Sequence, residues 1–457
     1  MPASQAVTPF KSRAGGWLPH GSAHVRRWTR GLKKYAARQT AALVPPIADL
    51  KAMVETNPVL HAQVDAMFAE ARHHMRHDPI GRPEVATFGE FLTLLNAVMT
   101  TAPEAYEDIP TQQPAGMIGF PINALLDWPM ATASGHAVFS NSLFNRQLKK
   151  ILAYWAEFLT SPASRYVLTE RASRLDPDTL IEPWLGDWSR GQMVRVAQSA
   201  VGAAPNPTPG TFEQIFACDP GADYHGYKSW DDFFTRTFRP GVRPLPPADD
   251  RTVIVNACES APLRLKTGVP LDARFWLKGQ PYSLVDMLDF DELAPQFAGG
   301  TVYQAFLSAL SYHRWHSPVG GIVRKAYVVN GSYYLENLYE GFANPHGADP
   351  AAPNDSQPFI ASVATRAIIF IEADNPAIGL ICVLAVGMAE VSSCEIAVRP
   401  GDAVNRGDQI GMFHFGGSTH CLLFRPGVDL DFEFYGQHPG LNAANMRVNT
   451  PLARLRG

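Results

Sequence analysis

The chain is short of cysteine, of excess charge and of long apolar runs, and each shortage argues against a class of function. Its five cysteines, Cys218, Cys258, Cys382, Cys394 and Cys421, are scattered, odd in number and form no CxxC pair. That argues against a disulfide framework or a zinc ribbon and fits a reducing compartment. A net charge of −4 over 457 residues gives no basic face for a nucleic-acid duplex. No apolar stretch approaches the ~20 residues that cross a bilayer, and no signal-peptide core follows Met1. The longest candidate, Ile378 to Met388, reads as a buried strand. Residues 1 to 40 hold no acid but carry Lys11, Arg13, Arg26, Arg27, Arg30, Lys33, Lys34 and Arg38. Such a stretch is either a mitochondrial presequence or a basic arm of the folded protein.

What remains is the composition of a soluble globular enzyme, 46% hydrophobic and 18% charged. From about residue 45 to 160 the pattern is helical. Asn57-Pro58 supplies a cap and first-turn proline before Leu60, Val64, Met67 and Phe68. Thr87 and Glu90 have capping-box spacing, and Leu148, Ile151, Leu152, Trp155 and Leu159 form a third stripe. These stripes read as core. The proline-rich run from Ala203 to Gly210 is the best boundary, and beyond it the chain becomes β-rich with Gly and Pro punctuation. His346 to Pro358 reads as a polar loop. The resulting division is a basic arm (1–44), a helical domain (45–202), a linker (203–228) and a β-rich catalytic domain (229–457).

Two segments of the second half, Ser317 to Gly331 and Ala397 to Gly411, have the short strands and Pro-Gly or Gly-Asp turns of a strongly bent sandwich or barrel. They also resemble the hammerhead of biotinyl and lipoyl carriers. A carrier needs an exposed hairpin lysine, and the corresponding turn, Glu390 to Glu395, has none.

Chemistry concentrates in two places. Gly416-Gly417-Ser418-Thr419 puts a bend free of Cβ atoms before a hydroxyl, between two apolar stretches. Tyr312-His313-Arg314-Trp315-His316-Ser317-Pro318 spaces two histidines at i and i+3, which share a face only in a helix. They are open to three readings: a structural pair, a metal site that lacks a third ligand, or acid–base work on a serine hydroxyl. A carboxylate that orients the imidazole would complete the last, and Glu259, inside an apolar run, is the candidate.

Four ordered motifs, Ser229 to Pro244, Trp276 to Leu284, Tyr312 to Pro318 and Phe415 to Thr419, closely resemble the pyruvoyl-dependent phosphatidylserine decarboxylase family over residues 205 to 457. The helical half, with Phe370 to Asn375 and Gly387 to Glu390, is similar to its soluble fungal branch, the L-tryptophan decarboxylases. The resemblance implies an α+β fold, with helices first and a β-rich domain holding a barrel/sandwich-hybrid element. It implies self-cleavage between Gly417 and Ser418, converting Ser418 into a covalent pyruvoyl cofactor, with no metal and no other cofactor. His316 would be the base for cleavage, His313 the proton source in decarboxylation, and Glu259 would stand where the family has Asp. The pyruvoyl ketone would form a Schiff base with an amino acid and act as its electron sink. The absent anchor and the fungal branch favour an aromatic L-amino acid, tryptophan first, in a cytoplasmic enzyme whose two cut chains stay together. Phosphatidylserine is the alternative substrate.

Overall fold

The computed structural model describes residues 22–39, 42–75, 84–108, 113–203, 208–273, 280–342, 352–391, 393–415 and 418–456. Helix α1 (Ser22–Arg38) buries Val25, Trp28, Leu32 and Ala36 at helical spacing. Lys33 and Lys34 on its polar side reach Glu90 at 2.7 Å and Asp176 at 2.9 Å. This half of the basic stretch therefore belongs to the packed body, and residues 1–21 lie outside the described residues.

Helices α2 (Pro45–Thr56) and α3 (Pro58–Met75) follow. Asn57 caps α3 by accepting from the Leu60 N–H at 3.1 Å, and Leu60, Val64, Met67 and Phe68 are all buried. At α4 (Phe88–Val98) Thr87 accepts from the Glu90 N–H at 3.2 Å. The returning Glu90 carboxylate takes the Ala86 N–H at 2.7 Å, one residue short of a closed capping box. Strands β1 (Glu104–Asp108), β2 (Gln113–Ile118) and β3 (Ile181–Glu182) form a small sheet in the order β2-β1-β3. Between β2 and β3 lie α5 (Pro121–Met130), α6 (Ala133–Ser140) and α7 (Ser142–Leu159). On α7 the stripe Leu148, Ile151, Leu152, Trp155 and Leu159 is buried, and Trp155 donates from Nε1 to the Thr101 carbonyl at 2.9 Å. Within the proline-rich connector, residues 204–207 lie outside the described residues. Its near side is pinned to the C-terminal segment, Ala203 N–H donating to Thr450 Oγ1 at 2.9 Å.

The second half contains β4 (Val253–Val255), β5 (Ala261–Val269), β6 (Gly300–Leu307), β7 (Arg314–His316), β8 (Gly321–Val329), β9 (Arg366–Ala373), β10 (Leu380–Gly387), β11 (Ser393–Ile396), β12 (Ala403–Val404), β13 (Gln409–His414), β14 (Ser418–Phe424), β15 (Leu430–Phe432) and β16 (Pro451–Leu455). Seven of them make an antiparallel sheet in the order β12-β8-β9-β10-β14-β6-β5. The run read as a buried strand is β10, covered on both faces. Its neighbour β14 is equally buried, so the strand that begins at Ser418 lies deep in the sheet. A sheet β11-β13-β7 packs through β11 on β8, β9 and β10, which supplies the sandwich element; β15-β16-β4 is a third sheet. Among the described residues no pairing closes the seven strands into a barrel.

The fold is thus α+β, helical first and sheet-rich after. One local expectation is corrected: the stretch from His346 to Pro358 is not all loop. From Ala352 on it forms two short helices, Ala352–Asp355 and Gln357–Val363, with Pro358 in the first turn of the second and Ile360 buried. Among the described residues no helix is long and apolar enough to cross a membrane.

Candidate active site

Strand alternation fixes the surroundings of Ser418. It opens β14, opposite Gly387 of β10 and Leu307 of β6. Phe415, three residues earlier, adopts φ +74°, a left-handed conformation that costs a non-glycine residue about 1–3 kcal/mol. Gly416 and Gly417, including the expected cleavage residue, lie outside the described residues. Ser418 is fully buried, and its Oγ has no hydrogen-bond partner among the described residues. Next to it Thr419 is satisfied, donating to the Ala305 carbonyl at 2.9 Å and accepting from Gln304 at 3.1 Å. A buried hydroxyl without a partner is uncommon and calls for an explanation.

The two histidines part company because the segment is not helical. His316 ends β7 opposite Gln409, whereas the His313 carbonyl accepts from the Phe413 N–H at 3.0 Å, at the end of β13 nearer Ser418. The His313 ring stacks on Phe234 at 4.1 Å and lies by the backbone of Ser308, one residue past the Leu307 that faces Ser418. Burial, then the nearby Arg236, push its pKa well below the usual imidazole value. His316 is held elsewhere, Nδ1 to the Gly407 carbonyl at 2.7 Å and Nε2 to the Tyr312 hydroxyl at 3.0 Å. Burial lowers its pKa too, and the Gly407 carbonyl works against that.

Glu259 bonds neither imidazole. Its carboxylate forms a two-pronged pair with Arg243 and accepts from the Val448 N–H at 2.9 Å. The reason is electrostatic: a guanidinium buried this deeply needs its counter-charge. The tautomer of His316 is fixed by the Gly407 carbonyl, where an orienting carboxylate was expected.

Family models described as phosphatidylserine decarboxylase match residues 44–192 and 230–438. The decarboxylase iboD of Amanita muscaria is 40% identical over 343 residues, covering 72% of this chain and 92% of that protein. The L-tryptophan decarboxylase of Psilocybe cubensis is 32% identical over 468 residues, 99% of this chain and 97% of its own. The chain belongs to the phosphatidylserine decarboxylase family. It is a carboxy-lyase. The phosphatidylserine decarboxylase proenzyme 3 of Schizosaccharomyces pombe is 29% identical over 203 residues, 44% of this chain and 19% of that protein. The word proenzyme there denotes a chain that is processed.

Three further groups near Ser418 were given no role by sequence reasoning. His420 lies two residues along β14 from Ser418 and so on the same face. It is fully buried, neither ring nitrogen has a partner among the described residues, and burial lowers its pKa to about 3. Period-two alternation in a strand beginning at Ser418 would have found it. His414 sits between Asp231 and Glu395, each at 3.0 Å. Burial opposes its charge, but the two carboxylates outweigh it and raise the pKa. Glu390 follows β10, three residues past the Gly387 that faces Ser418, and is fully buried. The motif Gly387 to Glu390 named it without a role, since its partners come from α5, some 270 residues away in the chain.

Proposed function

We propose that this enzyme cuts itself at Ser418 and then decarboxylates an aromatic L-amino acid, L-tryptophan first. The observation that carries the reading is the buried Ser418 hydroxyl, without a partner among the described residues, at the head of a central strand three residues after the strained left-handed Phe415. In this reading Ser418 Oγ attacks the Gly417 carbonyl, and the peptide C–N bond becomes an ester C–O bond. β-Elimination then breaks the Cβ–O bond, leaving Gly417 with a carboxylate and residue 418 as dehydroalanine. One water enters and one ammonia leaves, giving a pyruvoyl terminus.

The residues present fit such a group: the hydroxyl has no partner among the described residues, and Leu307 of β6 and Gly387 of β10, which face it, are apolar. The pyruvoyl group supplies an electron sink for the pair released when carbon dioxide departs. The side chains supply the rest. A neutral imidazole must take the Ser418 proton. Its placement beside Ser308 favours His313 in that role, with His316 held by Gly407 and Tyr312 at the far end of β13. Glu259 acts as structural counter-charge to Arg243.

Chain pairing supports two fragments that stay together: after a cut at 417/418, β14 still lies between β10 and β6, and β16 still pairs with β4. A free amino acid as substrate is supported by similarity to an L-tryptophan decarboxylase over 99% of the chain, helical half included. The phosphatidylserine decarboxylase proenzyme matches 44% of it. A cytoplasmic enzyme goes with this reading. The test is to incubate the purified protein with tryptophan, tyrosine, phenylalanine or phosphatidylserine vesicles and to measure amine and carbon dioxide. Release from tryptophan supports the reading, and release from vesicles alone replaces it with the phospholipid reaction.

A further inference from the structure

Decarboxylation consumes one proton per turnover. The carbon that loses carbon dioxide keeps the bonding electron pair, and a proton must close it. The groups around Ser418 differ in whether they have one to give. His313 and His420 are buried neutral imidazoles. At His414 both nitrogens are engaged by the carboxylates of Asp231 and Glu395. Tyr334, a buried phenol facing Glu390, has its pKa pushed well above the ordinary value by burial first and then by the Glu390 charge, so it holds its proton too firmly.

Glu390 is different in geometry. Ala389 takes φ +52° and its N–H donates to the Tyr333 carbonyl at 3.1 Å, which turns the chain inward just after β10. Oε1 of Glu390 accepts two amide N–H groups at the start of α5, Ile122 at 2.5 Å and Asn123 at 2.9 Å. Among the described residues Oε2 is buried without a partner, as are Asn123 Nδ2 and the Tyr334 hydroxyl. One oxygen is anchored and the other is free, and the turn starts at the residue facing Ser418. The anchoring amides favour the carboxylate, yet burial prevails and raises the pKa to about 8. Among the described residues no cation pairs with it.

We propose that Glu390 is the acid of the decarboxylation, passing the proton on Oε2 to the substrate carbon as carbon dioxide leaves and recovering one from solvent. This rests on the decarboxylase reading and not on the choice of amino acid. Proton transfer by a placed acid typically contributes 10²–10⁴-fold.

The test uses Glu390→Gln in the full-length chain. Glutamine keeps an oxygen for the Ile122 and Asn123 amides but has no proton to transfer. The variant should cleave itself as the wild type does, while turnover of the best substrate falls about 10²–10⁴-fold. Glu390→Asp should recover part of that loss, with a displaced alkaline limb in the pH profile. Turnover of the wild type should fall as pH rises through about 8, where the acid loses its proton. A second readout needs no turnover: infrared spectroscopy of the uncut Ser418→Ala protein should show the carbonyl stretch of a protonated carboxyl that titrates near that pH and vanishes with Glu390→Gln. Wild-type turnover in Glu390→Gln, loss of its self-cleavage, or absence of the carboxyl band would each overturn the assignment. A wild type that cuts itself but decarboxylates nothing would sink the functional reading, while the infrared band still decides whether Glu390 holds a proton.

Discussion

Replacing Glu259 by glutamine separates a structural carboxylate from a catalytic one. The Glu259 and Arg243 side chains are 2% and 3% exposed, joined by two prongs, with Val448 N–H as a third contact. Arg243 also donates to the Ala197 carbonyl at 3.0 Å and lies over the Phe238 ring at 4.6 Å, so the pair ties the helix Asp187–Ser199 to the C-terminal segment. Glutamine can accept one of these bonds but leaves a buried guanidinium without its counter-charge. Breaking such a pair costs about 3–5 kcal/mol, a large part of a typical stability of about 5–15 kcal/mol. Replacing both partners, Glu259→Gln with Arg243→Met, should recover most of the loss, because the uncompensated charge goes with the arginine. The assay is urea unfolding in the Ser418→Ala background, which keeps one covalent chain, set beside self-cleavage kinetics of the same variants with Ser418 intact. A stability loss below about 1 kcal/mol together with abolished cleavage would refute this reasoning and return Glu259 to the catalytic group.

His313→Ala should slow self-cleavage more than His316→Ala, read as the fraction of uncut chain over time; the opposite order restores His316 as the base. His414 has a raised folded pKa, so its stabilisation is complete below the ordinary 6.5 and disappears as pH rises through the folded value. Denaturation midpoints across that range should show the decline, and His414→Gln should flatten it. Glu390 is also raised, from 4.5 to about 8, so stability should fall as pH climbs between those values, and Glu390→Gln should remove that slope. At Gly411 an added Cβ would collide with the Trp315 ring and the Glu395 carbonyl. Gly411→Ala should therefore cost at least about 1–3 kcal/mol in the same unfolding assay.

The helical half was legible because its spacing is local: the caps at Asn57 and Thr87 and the stripes on α3 and α7 depend on residues three or four apart. The strand that begins at Ser418 was legible for the same reason, since the apolar run behind the hydroxyl is contiguous in the chain. The histidine pair shows where locality fails. A spacing of i and i+3 has meaning only on a helix, and the strand β7 sends His316 to Gly407 while His313 stays by Ser308. The Glu259–Arg243 pair was not legible, because Arg243, sixteen residues earlier, gave no sign that it would be buried beside Glu259. Glu390 was read as part of an unmodifiable hairpin, and only the docking of α5 on the end of β10 gives it two amide partners.

The central claim is that the chain makes its own electrophile, and mass spectrometry of the purified active enzyme tests it most directly. The account predicts two fragments, the larger ending at Gly417 and the smaller beginning at residue 418 with a keto terminus that reacts with hydrazine, and a single uncut chain for Ser418→Ala. An active enzyme of full-length mass, with no carbonyl-reactive terminus, would contradict it.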